Sequence, residues 1–405
     1  MSSLFYATTT PTVNAQSDLQ TIKYRNLVID LGNGVKTNAQ LTYPAVGKGP
    51  FPGVLLIHGS GANDKNETLG HVYKNGPKPT TPFWQIAQYL SERGFAVLRY
   101  DKRGIGANYT IDQNIWGNAT VNDLIHDAEN ALNILTLQPE VDSQRISVIG
   151  HSEGTIITPR VAIDNPTKVK NIILMGTAAQ NLVRDILRHQ VVDLNLKYTT
   201  QVLDKNHTGL ISIQQIPNDP LLGQYLVSSS LLDTNNTKVI TNNLVEQFGT
   251  TGHVSIQKQI RPALIKYYEN ESAFNLSKCN DIRGCPVWFR SESNLTPTLS
   301  IIGNISKSTD ILLLNGENDS ATPVQQTFLL QQRLTEINHP DHTLITYPNL
   351  GHFFYPSSQW FAESGPIEPY VLADLYSWLE THSGFTRSPS PSFSYSSNSS
   401  YTSQG

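Results

Sequence analysis

The stretch Ile146-Ser147-Val148-Ile149-Gly150-His151-Ser152-Glu153-Gly154 decides the fold of this 405-residue chain. Its first four residues form a mainly β-branched run that predicts a strand, and the residues after Gly154 favour a helix. A strand that turns sharply into a helix holds the central serine of G-x-S-x-G in a strained bend with its hydroxyl exposed. Glycines are needed there because a side chain would collide with the neighbouring strand or helix. The pattern therefore predicts Ser152 as a nucleophile.

The same bend predicts one half of an oxyanion hole. The N–H of Glu153 would stand at a helix N-terminus, where it can donate to a developing negative charge. A second donor is expected from an earlier strand-to-loop junction. The apolar run 53–57 is followed by His58-Gly59-Ser60-Gly61, whose small residues allow the backbone to approach a substrate, so we assign the N–H of Ser60. The alternative is a plain glycine turn with a packed His58.

A serine nucleophile also needs a base and an acid that orients the base. In a strand–elbow–helix enzyme these follow in the order Ser, Asp or Glu, then His. An apolar run at 311–314 precedes a polar turn with Glu317 and Asp319, and a second run at 343–347 precedes His352. Both candidates follow the carboxyl ends of strands, where open α/β sheets bind ligands. We assign His352 as the base and Asp319 as the acid, with Glu317 as the rival acid.

These motifs together resemble the α/β-hydrolase superfamily over about residues 20–382, most closely an esterase group related to dienelactone hydrolases. The matching stretches are His58-Gly59-Ser60-Gly61, Phe95-Ala96-Val97-Leu98-Arg99-Tyr100-Asp101-Lys102-Arg103-Gly104, Gly150-His151-Ser152-Glu153-Gly154, Gly316…Asp319 and Gly351-His352. The resemblance implies a Ser152–Asp319–His352 triad that cleaves carboxylic esters through an acyl-enzyme. One departure is Ala62-Asn63-Asp64, where relatives often carry a proline, which puts the shape of that loop in doubt.

Alternating strands and helices predict the α/β class with a mostly parallel central sheet flanked by helices. A hairpin is expected to open the fold, because two alternating runs at 21–31 and 36–43 flank Gly32-Asn33-Gly34. More than 130 residues with helical patterning separate Met175 from Asp310, and we expect them to form a mainly helical cap over the active site. The predicted division is a disordered segment 1–20, the hydrolase core 21–180, the cap 181–307, the remaining core 308–382 and a disordered Ser-rich tail 383–405.

Composition narrows the class of partner. The formal net charge of −4 and the pI near 6.3 argue against nucleic acid as a main partner. The sequence contains no apolar run long enough to span a bilayer. The motifs imply a small-molecule ester substrate and no cofactor, and they leave the oligomeric state open.

Two features of the sequence bear on whether the protein is exported or cytoplasmic. Val13-Asn14-Ala15 has the small-residue pattern of an export cleavage site, although residues 1–20 lack the basic start and apolar centre of a signal peptide. Cys279 and Cys285 would close a small loop in an oxidising compartment and stay as thiols in cytosol. The chain is therefore expected to be either secreted or on the cell surface, or else cytoplasmic.

A loop in the expected cap resembles a worn EF-hand. Oxygen-bearing residues stand at the first, third, fifth and ninth places of the loop, with Gly209 at the sixth; they are Asp204, Asn206, Thr208 and Ser212. The closing glutamate is replaced by Gln215, so we expect the helix–loop–helix shape without a metal, and calcium as the alternative. A weaker echo of the loop is expected at 233–241.

Two further groups of residues have alternative readings. Asp101 and Arg103 follow a predicted core strand, and we expect them to form an ion pair that anchors loops. Five aromatic residues surround His352 in the sequence and would line either a pocket or the core: Tyr347, Phe353, Phe354, Tyr355 and Trp360.

The sequence therefore predicts a serine hydrolase acting on carboxylic esters. A serine peptidase or amidase with the same machinery is the first alternative. The absence of propeller repeats and of a paired-Glu helix from the sequence favours the esterase. A catalytically inactive surface binding protein is the second alternative, against which the complete set of triad residues speaks.

Overall fold

The computed structural model describes residues 21–69, 79–106, 109–227, 236–272, 286–358, 360 and 365–384. The N-terminal segment, both cysteines and residues 385–405 lie outside this description, so the predictions on export, disulfide formation and disorder of the N-terminal segment stay predictions. The prediction of a disordered tail likewise stays a prediction for residues 385–405. Ser383, the first residue of that predicted tail, is buried at the end of the last helix, where its N–H donates to Leu379 O at 2.9 Å.

Ten strands are present among the described residues. They are β1 Ile22–Gly32, β2 Val35–Pro44, β3 Phe51–Ile57, β4 Ala96–Tyr100, β5 Val141–His151, β6 Val169–Met175, β7 Leu210–Ser212, β8 His253–Ser255, β9 Asp310–Gly316 and β10 His342–Tyr347. Eight of them form one sheet in the order β1-β2-β4-β3-β5-β6-β9-β10. Pairing is antiparallel from β1 to β4 through β2, and parallel across the rest of the sheet. The predicted hairpin and the mostly parallel sheet are confirmed.

Helices cover both faces of this sheet. The α-helices are α1 Pro82–Ser91, α2 Gln113–Trp116, α3 Val121–Thr136, α4 Gly154–Asp164, α5 Leu194–Tyr198, α6 Gly223–Leu226, α7 Thr237–Phe248, α8 Arg261–Ser272, α9 Pro286–Ser293, α10 Thr298–Ile301, α11 Val324–Glu336 and α12 Pro369–His382. Side chains of β3 alternate between two buried clusters: Leu55 packs in the cluster with α3 and α4, and Leu56 in the cluster with α1 and α12. Burial on both faces explains why the central strands are apolar at nearly every position.

The segment between β6 and β9 is mainly helical, as predicted. Its described residues contain α5 to α10, two 3₁₀ turns and four π-helical stretches, which are Leu182–Leu187, His189–Asp193, Thr199–Leu203 and Ile256–Ile260. The only sheet in its described residues is the antiparallel pair β7–β8, in which Ile211 faces Val254. We call residues 182–305 the inserted segment.

The loop before β7 is held by hydrogen bonds between its own side chains and its own backbone. The Asp204 carboxylate accepts the N–H groups of Thr208 at 2.9 Å and Gly209 at 2.7 Å. Ser212 caps the 3₁₀ turn Ile213–Gln215 with its hydroxyl. These side chains therefore satisfy backbone donors of the loop, which favours the structural reading over calcium.

The expected echo of this loop at 233–241 is wrong. Residues 237–241 begin α7, whose first turn is capped by Asn236. The true counterpart is Thr251-Gly252-His253-Val254-Ser255-Ile256-Gln257, which repeats the pattern of Thr208-Gly209-Leu210-Ile211-Ser212-Ile213-Gln214. The two repeats supply β7 and β8 and pair with each other. The pairing escaped the sequence reasoning because the second repeat lacks the leading aspartate.

Candidate active site

Ser152 lies in a strained turn between β5 and α4. Its φ is +54°, in the left-handed region that residues other than glycine rarely adopt. A Cβ built on Gly150 would lie 2.2 Å from Gly154 O, and one built on Gly154 would lie 2.2 Å from Ile57 O. The turn is thus too tight for side chains on either glycine, as the sequence predicts. The N–H of Ser152 donates to Met175 O at 2.9 Å, which ties the turn to the end of β6.

His352 and Asp319 form a hydrogen-bonded pair at the ends of β10 and β9. The distance from His352 Nδ1 to Asp319 Oδ2 is 2.8 Å. The other carboxylate oxygen accepts the N–H groups of Ala321 and Thr322, both at 2.8 Å. Because a carboxylate that accepts from all sides keeps the proton on Nδ1, Nε2 of His352 is the nitrogen left to act as a base. Glu317, the rival acid, is exposed and accepts from Thr346 Oγ1 at 2.9 Å.

The His352 ring lies beside the nucleophile turn. Its centroid is 4.6 Å from that of His151, the residue before Ser152. A Cβ on Gly176, directly after β6, would approach the His352 ring to 3.1 Å. The fold therefore brings the predicted base to the serine turn across 200 positions of chain.

The loop after β3 lies against the same turn. A Cβ on Gly59 would be 3.0 Å from Ser152 Cβ. Gly59 N donates to Glu67 Oε1 at 2.6 Å, and Gly59 O accepts from Asn63 Nδ2 at 2.9 Å. Among the described residues, the N–H groups of Ser60 and Glu153 have no hydrogen-bond partner. Both predicted oxyanion donors are therefore available.

His58, the first residue of this loop, is fully buried between two aromatic rings. Its ring centroid is 5.3 Å from that of Phe83 and 5.1 Å from that of Tyr100. Burial, reinforced by the positive charge of Lys102, lowers the pKa of His58 to about 4. His58 is thus a neutral, packed residue, as the alternative in the sequence analysis predicted. The backbone that follows it carries the predicted oxyanion donor, the N–H of Ser60.

Lys102 connects the two halves of the predicted oxyanion hole. Its ammonium is buried and lies 2.5 Å from Gly59 O and 2.6 Å from Glu153 Oε2. The other Glu153 oxygen accepts the indole N–H of Trp288, on α9 of the inserted segment. The sequence reasoning weighed Asp101 and Arg103 but passed over the residue between them. The available signal was a lysine two residues after the end of β4, between the acidic Asp101 and the basic Arg103.

The expected ion pair between Asp101 and Arg103 is wrong. Asp101 accepts from the backbone N–H of Lys65 at 2.7 Å. Arg103 reaches α3, where it binds both carboxylate oxygens of Asp127 at 2.6 and 2.7 Å. Residues i and i+2 share a face only while a strand continues, and here the chain turns after β4, where the N–H of Ile105 donates to Lys102 O at 3.0 Å. Each therefore anchors a different loop to the core.

A second buried pair, Glu67 and His151, was also missed. Glu67 Oε1 lies 3.0 Å from His151 Nδ1, while His151 Nε2 lies 3.0 Å from the carbonyl oxygen of His352. Both His151 nitrogens face acceptors, so the ring carries two protons. Burial would lower the pKa of His151, but the Glu67 carboxylate outweighs burial and raises it. The pair joins the oxyanion loop, the nucleophile turn and the His352 loop.

The aromatic residues near His352 divide between the two expected roles. Tyr347, Phe354 and Tyr355 are buried in the core cluster with α1 and α12. Phe353 lies against the rings of His151 and His352, at centroid distances of 4.7 and 5.3 Å. Trp360 contacts Tyr198 of the inserted segment at 5.6 Å. Phe353 therefore touches the side chain of the predicted base His352.

One group of side chains in the described residues has metal-ligand spacing. The ligand atoms of Asp310, Asp341 and His382 lie within 4.8 Å of one another. They stand at the amino ends of β9 and β10, the sheet edge opposite to Ser152. His382 Nε2 is 3.5 Å from Asp341 Oδ2, so a direct contact between these two side chains accounts for the arrangement. None of the described helices has the length and apolar character required to cross a bilayer.

Two family models match the chain in succession. Residues 81–239 match the model described as "Serine aminopeptidase, S33", and residues 286–386 match the "Prolyl oligopeptidase family". The first match covers the nucleophile turn and the second covers Asp319 and His352.

Curated relatives carry esterase names. Esterase EstD of Thermotoga maritima is 32% identical over 192 residues, which cover 44% of this chain and 40% of that protein. Esterase FrsA of Yersinia pestis is 26% identical over 159 residues, covering 39% of this chain and 33% of that one. This chain thus spans less than half the length of these two relatives.

Solved structures share the fold. Proline iminopeptidase of Mycobacterium smegmatis superposes with a TM-score of 0.52 at 15% identity, covering 89% of this chain and 99% of that one. The hypothetical protein PA2218 of Pseudomonas aeruginosa gives 0.50 at 15% identity, covering 93% and 100%. At this identity the likeness concerns architecture alone.

Proposed function

Because the chain belongs to the α/β-hydrolase superfamily, we propose that it is a serine hydrolase that cleaves carboxylic esters through an acyl-enzyme. The observation that carries the proposal is the His352–Asp319 hydrogen bond of 2.8 Å beside a serine held at positive φ. The N–H groups of Ser60 and Glu153, which have no hydrogen-bond partner in the described part of the chain, supply a place for the oxyanion. The esterase names of the curated relatives support the ester as substrate.

The proposed reaction assigns each group one task. His352 Nε2 takes the hydroxyl proton of Ser152, which attacks the ester carbonyl. The Ser60 and Glu153 N–H groups stabilise the tetrahedral oxyanion, and the alcohol leaves with the proton from His352. Asp319 holds Nδ1–H of His352, which keeps the tautomer correct in both steps. A water activated by His352 then hydrolyses the acyl-enzyme.

We also propose that the inserted segment acts as a cap. Two contacts support this role: Gln190 Nε2 donates to Ala321 O, next to Asp319, at 2.7 Å, and Trp288 reaches Glu153. A segment seated on both the acid loop and the nucleophile turn would exclude water and shape the pocket.

Cleavage of amides is the second candidate, because both family models carry peptidase descriptions. The test compares p-nitrophenyl acyl esters of increasing chain length with aminoacyl p-nitroanilides, using the wild type and Ser152→Ala. We expect turnover of esters that Ser152→Ala abolishes, and little release of p-nitroaniline. Faster release from the anilides would assign a peptidase. No turnover, together with no fluorophosphonate labelling, would assign a binding protein.

A further inference from the structure

Lys102 occupies a place that the catalytic scheme does not use. The side chain is only 3% exposed, yet its ammonium lies between Gly59 O at 2.5 Å and Glu153 Oε2 at 2.6 Å. Gly59 and Glu153 flank the predicted oxyanion hole from its two sides. A buried lysine is costly unless its partners are well placed, and here both partners belong to the hole.

The bond to Gly59 O acts on Ser60. The carbonyl of Gly59 and the N–H of Ser60 belong to one planar trans peptide, so they point in opposite directions. Lys102 and Asn63 both donate to this carbonyl, at 2.5 and 2.9 Å. Fixing the oxygen therefore fixes the direction of the Ser60 N–H. A positive charge at the carbonyl end also polarises the peptide and strengthens that N–H as a donor.

The preceding peptide is held as well. Gly59 N donates to Glu67 Oε1 at 2.6 Å, so rotation of the loop about Gly59 is opposed from both ends. On the other side, the Glu153 carboxylate offsets the charge of Lys102 and accepts from Trp288. Glu153 carries the second predicted donor in its own N–H.

From this geometry we propose that Lys102 is a positioning residue that aligns and polarises the Gly59–Ser60 peptide for the oxyanion. The proposal rests on the proposed function and adds to it a group that touches neither substrate nor the reacting atoms. Its effect is greatest when the carbonyl oxygen becomes an oxyanion. Loss of Lys102 should therefore lower kcat with little change in KM.

The test compares Lys102→Met with Lys65→Met, a matched control. Lys65 lies in the same loop, and its ammonium lies 3.6 Å from Asp101. We expect kcat of Lys102→Met to fall about 10- to 100-fold, less than the full loss of one oxyanion donor, with KM nearly unchanged. Affinity for an alkyl boronic acid, which forms a tetrahedral adduct on the serine, should fall by a similar factor. Lys102→Arg should recover most of the loss, and Lys65→Met should match the wild type.

The fraction of protein labelled by a fluorophosphonate at completion measures how much of each variant is folded, so it separates a loss of folded protein from a loss of kcat. If Lys102 has only a structural role, the labelled fraction falls and kcat per labelled site stays at the wild-type value, which overturns the proposal. Lys102→Met leaves the buried Glu153 carboxylate without the positive charge that balances it. The second variant is therefore Lys102→Met/Glu153→Gln, which removes both charges. A folded double variant with wild-type kcat also overturns the proposal. A wild type that neither turns over esters nor takes the label would instead reject the proposed function, and this inference with it.

Discussion

The hydrolase core and the inserted segment are built in different ways. The core holds its eight strands in one hydrogen-bonded sheet, and the predicted catalytic residues follow the ends of β5, β9 and β10. The inserted segment uses helices of 4 to 12 residues, π-helical turns and a sheet of two three-residue strands. Regular ladders fix positions tightly, whereas short elements tolerate changes of shape. Under the proposed function, the core positions the catalytic residues and the inserted segment shapes the substrate pocket.

Polar contacts join the two regions at several points. Trp288 donates to Glu153, and the N–H of Val121 at the start of α3 donates to Ser291 Oγ of α9 at 3.0 Å. Hydrogen bonds of this kind define one position of the inserted segment on the core, whereas apolar packing alone would define that position less precisely.

The largest expected difference between the regions concerns two aspartates that both accept backbone N–H groups. Asp319→Asn should lower kcat about 10⁴-fold, because an amide favours the wrong His352 tautomer; the magnitude is that of the same change in a known Ser-His-Asp protease. Asp204→Asn, in the inserted segment, should leave kcat at the wild-type level and lower the free energy of unfolding, because the amide is a weaker acceptor for the N–H groups of Thr208 and Gly209. Steady-state kinetics and urea unfolding measure the two effects. Equal losses of kcat would contradict the division of roles.

A second comparison uses glycines. An alanine Cβ at Gly154 would lie 2.2 Å from Ile57 O, so β3 and α4 must separate, and we expect a loss of about 3 kcal/mol or more. Gly209 has φ +74° with nothing within 4 Å of a built Cβ, so Gly209→Ala meets only the left-handed strain of about 1 kcal/mol. Urea midpoints of the two variants give the order. The reverse order would mean that the turn at Gly154 relaxes freely.

The third comparison concerns a pH dependence of the free energy of unfolding that is carried by the core. The pKa of His58 is about 4 in the folded protein, below the ordinary histidine value. The unfolded chain therefore binds the proton first, and stability present above about pH 6.5 is lost as the pH falls towards 4, on the order of 3 kcal/mol. His58→Phe should flatten that decline in urea unfolding series. The exposed His253 of the inserted segment is the control, and His253→Gln should keep the wild-type slope. An unchanged slope in His58→Phe would show that other groups carry the acid sensitivity.

The core was predictable because its signals are local. A β-branched run followed by G-x-S-x-G requires only nine adjacent residues to predict a strand, a sharp turn and a candidate nucleophile. Asp319 and His352 were likewise predicted from the strands just before them. Chain order then placed all three at one sheet edge without any knowledge of contacts.

The residues that escaped the sequence reasoning depend on distant partners. Glu67 binds His151 across 84 positions, and Trp288 binds Glu153 across 135. The role of Lys102 was not predicted, because a run of adjacent charged residues does not reveal the partner to which each side chain binds. In the inserted segment, the pairing of β7 with β8 joins two short repeats, which are too brief to predict their own partner.

The most direct measurement is the mapping of a covalent fluorophosphonate adduct by peptide mass spectrometry. The arrangement of Ser152, His352 and Asp319 predicts one phosphonyl group per chain, on Ser152. The adduct should disappear in Ser152→Ala and form far more slowly in His352→Ala. Labelling of a different serine, or esterase activity that survives in Ser152→Ala, would contradict the account.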